Sequence, residues 1–261
     1  MAPVITLTTD FGHAGPFAGV MKAVIRAHAP GAAIHDLTHC IAPWQPGEAG
    51  FWLARCYSYF PAGSVHVAVV DPGVGTARAI LACAWDGHLF LAPDNGIVPM
   101  IAGPDAAVHA LSADWLARQR WPAPSNTFHG RDIFAPLAAA LLTGRVRPEA
   151  IGARAPQPAP AAIPPATFAT DRVVGRVAAI DTWGNLSTNI EGAMLARLHQ
   201  PLIQVACREL RLSQTYGAGP PGALLAIVNS FGVLEVAWRE GNAAQLLGLG
   251  HGAEVIAIES S

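Results

Sequence analysis

Apolar and polar positions in the first part of the chain switch between two periods. Residues 3–9 form a short β-branched apolar run and read as a strand, whereas Phe17, Val20, Met21, Val24 and Ile25 recur at helical spacing until Pro30-Gly31 stops them. Residues 34–37 repeat the strand signal and residues 48–59 the helical one, after a rigid proline-containing loop at 41–47. Residues 66–70 are the kind of continuous apolar run that a sheet buries on both faces. Strand, helix, strand alternation predicts a mainly parallel sheet with right-handed crossovers, an α/β fold. Residues 79–85 and 88–92 flank Asp86-Gly87, a strong hairpin turn, and the apolar run 137–142 reads as a helix.

The rhythm changes after residue 153. Residues 154–165 are dense in Pro and Ala with few charges, which marks a semi-rigid linker. The predicted organisation is an α/β domain over 1–153, a linker over 154–170 and a second domain over 171–261. In the last, short strands at 173–180, 203–206, 210–212, 224–228, 233–237 and 255–258 are separated by turn signals such as 216–222, and only 243–247 looks helical. That pattern predicts an all-β barrel.

Composition narrows the class. Over 261 residues the apolar content is high and charge is low, which points to surface buried between subunits or domains. A net charge of -2 gives no reason to expect a nucleic acid partner or an anionic membrane, and Lys22 is the only lysine. Cys40, Cys56, Cys83 and Cys207 contain no Cys-x-x-Cys pair, so free thiols in a reducing compartment are expected rather than a zinc knuckle or a disulfide framework. Neither a signal peptide nor a membrane-length apolar segment is visible, and the expected location is the cytoplasm.

Three predicted strands end on an aspartate: Thr8-Thr9-Asp10-Phe11-Gly12, Asp71-Pro72-Gly73-Val74-Gly75 and Pro93-Asp94-Asn95-Gly96. In open α/β sheets that edge is where ligands sit. Arg78 follows Asp71 across a glycine-containing turn, so the two side chains can face one pocket. A fourth stretch, residues 126–136, packs His129, Arg131 and Asp132 around Gly130 just before a helix. Singly, Asp71 reads as a turn cap, Asp132 as a helix cap and His129 as a satisfied buried imidazole; jointly they favour a site. No Gly-x-Gly-x-x-Gly turn and no Gly-Lys-Ser/Thr motif is present, which disfavours nicotinamide and nucleoside triphosphate binding. Clustered carboxylates with a His (Asp10, Asp71, Asp94, His129, Asp132) keep a metal-dependent hydrolase as a competing class. In the second domain, residues 181–189 and 229–232 read equally as turns or as loops able to stack on a purine through Trp183 and hydrogen-bond it through Asn185.

Taken in order, Thr9-Asp10-Phe11-Gly12, Asp71-Pro72-Gly73-Val74-Gly75, Pro93-Asp94-Asn95-Gly96, Phe128-His129-Gly130-Arg131-Asp132, Gly184-Asn185 with Thr188-Asn189, and Asn229-Ser230 with Gly232 resemble the S-adenosyl-L-methionine (SAM) hydroxide adenosyltransferase family. Its relatives include SAM-dependent fluorinases and chlorinases. The resemblance implies an N-terminal α/β domain with a C-terminal β-barrel, and a homotrimer with its sites between subunits. It implies attack of water on C5' of the ribose, giving adenosine and methionine, with SAM as substrate and no cofactor or metal.

By the same resemblance Asp71, Arg78 and His129 handle the water, Asp10 holds the ribose diol and Trp44 packs on the nucleoside. Asn185 contacts adenine, Asp181 and Ser230 lie near the methionine moiety, and Asp94, Asn95 and Trp183 complete the substrate-binding candidates. Gly15 stands where the family usually carries an Asp near the substrate amino group. Halogenating relatives lack the Asp-Pro-Gly-Val-Gly and Phe-His-Gly-Arg-Asp signatures, and both are intact here, which disfavours the nearest alternative, a 5'-halogenase; a non-catalytic adenosine- or SAM-binding protein is the other. The sulfonium is already a good leaving group, so the reaction needs an aligned, partly deprotonated water. Either Asp71 or His129 can take its proton, and Arg78 can favour the anion.

Overall fold

A computed structural model describes residues 2–155 and 157–260; Met1, Pro156 and Ser261, which fall in the predicted segments, lie outside the described residues. The chain divides into two units with the boundary between Ala162 and Ile163. The first unit contains strands β1 (Ile5–Thr9), β2 (Ile34–Thr38), β3 (Val65–Val69), β4 (Ile80–Trp85), β5 (His88–Pro93) and β6 (Ala107–Ala110). Its helices are α1 (Phe17–His28), α2 (Pro46–Cys56), α3 (Val98–Ile101), α4 (Ala113–Ala117) and α5 (Ala135–Leu142).

The sheet order is β2-β1-β3-β5-β4-β6. β1, β2, β3 and β5 run parallel, as the strand-helix-strand alternation requires, whereas β4 is antiparallel to both β5 and β6. The reversal comes from the two-residue turn, where Asp86 (φ 47) and Gly87 (φ 75) both adopt the left-handed conformation that a tight hairpin demands. β3 is buried along its whole length. Val65, Val67 and Val69 pack with Met21 and Ile25 of α1 and Leu137 of α5 on one face, and Ala68 packs with Leu53 of α2 and Val98 of α3 on the other. The parallel strands therefore end at one edge, and Asp10, Asp71 and Asp94 follow β1, β3 and β5 there.

Half of the predicted linker behaves differently from its composition. Residues 154–162 belong to the first unit: Arg154 bridges His109, Ala155 N donates to Val108 O (2.8 Å), Ala159 N to Asp94 Oδ1 (2.8 Å) and Ala162 N to Gly96 O (3.1 Å). A segment rich in Pro and Ala still carries backbone donors, and here strand and loop acceptors satisfy them. Three further elements, α3, β6 and α4, carry too short a pattern to be read from the sequence.

The second unit contains β7 (Thr167–Ala169), β8 (Arg172–Ile180), β9 (Leu186–Glu191), α6 (Gly192–Leu195), β10 (Leu202–Val205), β11 (Arg208–Ser213), β12 (Leu224–Val228), β13 (Val233–Trp238), α7 (Ala243–Leu247) and β14 (Glu254–Ile258). β8 pairs with β14 through its first half and with β9 through its second, which closes a 7-strand barrel with β7 added on its outside edge. Val173, Val177, Leu186, Ile203, Leu234, Val236 and Val255 fill the interior. β9 is absent from the sequence reading because Ser187, Thr188 and Asn189 have turn chemistry. In the barrel Thr188 Oγ1 donates to Leu234 O (2.8 Å) and Ser187 Oγ to Glu235 Oε2 (3.1 Å), so these hydroxyls are buried without penalty. Among the described residues no helix is long and apolar enough to cross a membrane.

Candidate active site

Two residues beyond β3 the chain turns back on itself. Val74 N donates to Asp71 O (3.2 Å), and Thr76 donates to Gly73 O through both its amide (3.1 Å) and its hydroxyl (2.7 Å). The turn returns Arg78 to face Asp71. Arg78 Nε donates to Asp71 Oδ1 at 2.9 Å, while Nη2 reaches both Asp71 Oδ2 and, at 3.1 Å, His129 Nδ1. The acid and guanidinium side chains are only 4% and 11% exposed. His129 arrives from 51 residues away because Gly75 lets two loops touch: it has φ 76, and a Cβ there would sit 2.2 Å from Asn126 O. Any other residue at 75 would push the His129 loop away from Arg78.

The contact fixes a proton. A guanidinium has donors only, so the ring nitrogen facing it must accept, which makes His129 a neutral imidazole with its proton on Nε2. Burial and then the Arg78 charge push the His129 pKa below the ordinary imidazole value, against smaller opposite pulls from Asp71 and Asp132. Asp10 lies at the same pocket. Burial raises its pKa, outweighing hydrogen bonds from backbone amides that include Trp44 N (3.3 Å), and the Asp71 charge raises it further. Asp10, Phe11, Trp44, Asp71, Phe128 and His129 are among the residues lining a cavity of about 100 Å³. That volume holds roughly three waters.

The neighbouring polar residues are committed elsewhere. Asp132 Oδ2 accepts from Ser125 N (2.8 Å) and Oγ (2.7 Å), Arg131 Nε donates to Asp132 Oδ1 (2.5 Å), and Ser125 Oγ accepts from Phe128 N (3.1 Å). Burial raises the Asp132 pKa, but the Arg131 and Ser125 hydrogen bonds outweigh it and bring it down to about 2. Asp132 thus clamps the loop that delivers His129, just before a wide i to i+5 turn at Gly130–Phe134 leads into α5. Of the third strand tip, Asp94 accepts from Ala159 N and Asn95 Nδ2 donates to Val70 O (2.8 Å); neither lines the Asp71 cavity. Asn95 instead ties the end of β3 in place. Among the described residues no group of three or more His, Cys, Asp or Glu is placed to hold a metal ion.

The second unit carries the other candidates. Asp181 Oδ1 accepts from Trp183 N and Asn185 N, and Oδ2 from Asn185 Nδ2, each at 2.9 Å, so this carboxylate shapes its own loop. Gly184, with φ 82, brings the loop against Asn242, whose side chain a Cβ would meet at 2.1 Å. Asp181, Trp183 and Asn185 line a cavity of about 770 Å³ together with Tyr216, Trp238 and Asn242. Ser230 sits on an exposed turn outside that lining.

Sequence reasoning missed the network beneath this cavity. Tyr216 OH donates to Glu235 Oε1 (2.6 Å) and Asn229 Nδ2 to Glu235 Oε2 (2.9 Å), alongside Ser187. Burial, then the Glu235 carboxylate, raise the Tyr216 pKa. Tyr216 lies in a Gly-Pro run that reads as a turn, and Trp238 at a strand end; only their shared cavity marks them.

Comparison with known proteins agrees with this architecture. Residues 5–152 match the SAM hydroxide adenosyltransferase N-terminal domain and residues 175–256 its C-terminal domain. The chain is 38% identical to the (R)-S-adenosyl-L-methionine hydrolase of Salinispora arenicola, over 97% of each chain, and 37% identical to that of Thermus thermophilus, over 98% and 99%. A fluorinase of Nocardia brasiliensis is 26% identical over 90% of each chain. The crystal structure of a conserved protein from Thermotoga maritima superposes with a TM-score of 0.85 at 33% identity, covering 98% of this chain and 100% of that one.

Proposed function

The chain belongs to the SAM hydroxide adenosyltransferase family, and on that footing we propose that it is a SAM hydrolase in which Asp71, Arg78 and His129 activate water against C5' of the ribose. The observation that carries the reading is the single guanidinium that grips Asp71 and His129 at once beside a water-sized cavity. Water oxygen attacks C5' as the C5'–sulfur bond breaks, the electron pair returns to sulfur to give methionine, and the water proton passes to Asp71. Adenosine is the other product. His129 Nδ1 is occupied by Arg78, so Asp71 is the base and the His129 Nε2–H orients the water. Arg78 stays positive throughout and favours the oxygen as it becomes anionic.

Walls of Phe11 and Phe128 keep other water out, which strengthens these electrostatic interactions. Asp10 holds the ribose diol, Trp44 packs on the nucleoside, Asn185 contacts adenine, Asp181 and Ser230 serve the methionine moiety and Trp183 completes the binding surface; Asp94 and Asn95 support the site from behind. The enzyme works without a cofactor or metal, in the cytoplasm, with no nucleic acid partner, as a homotrimer whose active sites lie at subunit boundaries. Trp44 and Trp183, 74% and 73% exposed on the single chain, are surfaces such an assembly covers.

Purified protein incubated with SAM after exhaustive chelation is expected to release adenosine and methionine well above the spontaneous rate, resolved by chromatography. Absence of either product sinks the assignment, chelator sensitivity sinks the metal-free mechanism, and chloride-dependent 5'-chloroadenosine moves the chain to the halogenating branch.

A further inference from the structure

A row of polar side chains, none of them in the cavity lining, runs inward to the tip of β1. Lys22 Nζ lies 2.5 Å from Asp36 Oδ2, and Asp36 Oδ1 lies 2.9 Å from His39 Nε2, off the line of a straight hydrogen bond. His39 Nδ1 is 2.8 Å from Thr9 Oγ1, which in turn accepts from Phe11 N (3.2 Å). His39 and Thr9 are 1% and 0% exposed. The Asp36 carboxylate can only accept, so the neutral imidazole turns Nε2–H toward it and Nδ1 accepts the Thr9 hydroxyl proton.

The backbone of the same residues stitches two loops together. Gly12 N donates to His39 O (2.7 Å), Ile41 N to Thr9 O (3.3 Å) and Trp44 N to Asp10 Oδ2 (3.3 Å). Trp44 holds φ 61, a conformation that a bulky residue keeps only when its surroundings impose it. His39 commits Nδ1 to Thr9 and its carbonyl to Gly12, on the two sides of Asp10, while Nε2 faces Asp36.

We propose that His39, oriented by Asp36 and bonded to Thr9, is a positioning residue that sets Asp10 and Trp44 for the nucleoside part of the substrate. The proposal rests on the hydrolase reading for the identity of that substrate. His39 touches no reacting atom, so the consequence falls on binding rather than on the chemical step.

Thr9→Val keeps the volume and deletes the hydroxyl. It is expected to raise KM for SAM about tenfold while kcat stays within about threefold, whereas Thr9→Ser restores KM. Hydrogen–deuterium exchange adds a readout that needs no substrate: amides of residues 10–12 and 41–44 exchange faster in Thr9→Val and normally in Thr9→Ser. Asp36→Asn is expected to shift both readouts the same way, by less. Unchanged exchange in a folded Thr9→Val variant, faster exchange with unaltered KM, a loss confined to kcat, or a Thr9→Ser variant as impaired as Thr9→Val would each overturn the proposal. If wild-type protein makes no adenosine from SAM, the hydrolase reading fails by itself. Exchange and calorimetric adenosine affinity across the same variants then decide the role of His39.

Discussion

Arg78→Lys separates the two things Arg78 supplies, a positive charge and a planar fork. Lysine keeps the charge, but its single ammonium cannot occupy the positions of Nε and Nη2 together, so it cannot hold both Asp71 oxygens and His129 Nδ1. One charge-assisted bond to Asp71 and the bond to His129 are lost. At about 1.5 kcal/mol each, the lower end for hydrogen bonds to charged groups, the loss is about 3 kcal/mol. If it is felt mainly in the transition state, kcat falls about a hundredfold with KM within about threefold. The assay is adenosine release from SAM under saturating and limiting substrate, with a thermal melt to verify folding. A folded Arg78→Lys enzyme with kcat near wild type would show that charge alone suffices and that the fork geometry is irrelevant. A loss confined to KM would move Arg78 from the chemical step to ground-state binding.

Three further outcomes are expected, one from the same contacts and two from buried networks elsewhere. Activity is expected to fall on the acid side with a midpoint below the ordinary histidine value, because burial and Arg78 lower the His129 pKa and a protonated Nδ1 would oppose the guanidinium; a pH–kcat profile whose acid limb is centred at or above about 6.5 would contradict this. His66, held between Thr6 Oγ1 (2.8 Å) and His88 Nδ1 (3.1 Å), is pushed down to about 3, mainly by burial and then by His88. Its folded-state pKa is depressed, so its stabilising effect is complete above about pH 6.5 and is lost as pH falls toward 3. The expected cost is about 3 kcal/mol at about pH 4.5, read from urea midpoints, and a His66→Gln variant losing stability with acid as steeply as wild type would refute it. Glu235→Gln removes the charge shared by Tyr216, Asn229 and Ser187 and is expected to raise KM for SAM severalfold with little change in kcat; an unchanged KM would show that the network does not shape the cavity.

The hydrogen-bonded row beside β1 and the carboxylate beneath the barrel cavity share a logic. In both places a buried polar group holds a residue at the edge of a cavity: His39 bonds Thr9 beside Asp10 in one unit, and Glu235 accepts from Tyr216 in the other. Low local dielectric makes such satisfied networks stiff, and stiffness keeps a binding group in place before substrate arrives.

Much of the architecture was already written in the order of residues. The apolar period that forms β1, α1, β2, α2 and β3, the Asp86-Gly87 hairpin and the short strands of the barrel are local patterns, and local steric preferences decide them wherever burial agrees. The strand-tip aspartates and the ordered motifs were legible for the same reason. Which of those groups meet was not. Asp71, Arg78 and His129 converge because Gly75 permits two loops to touch, whereas Asp94, carried on an equivalent tip, turns to the amide of Ala159. Ser187 and Thr188 sit in a buried strand rather than a loop because Glu235 and the carbonyl of Leu234 receive their hydroxyls. Hydrogen bonding between residues distant in the chain depends on three-dimensional placement, which is why the elements could be read from the amino-acid order while the partners of their polar side chains required the folded molecule.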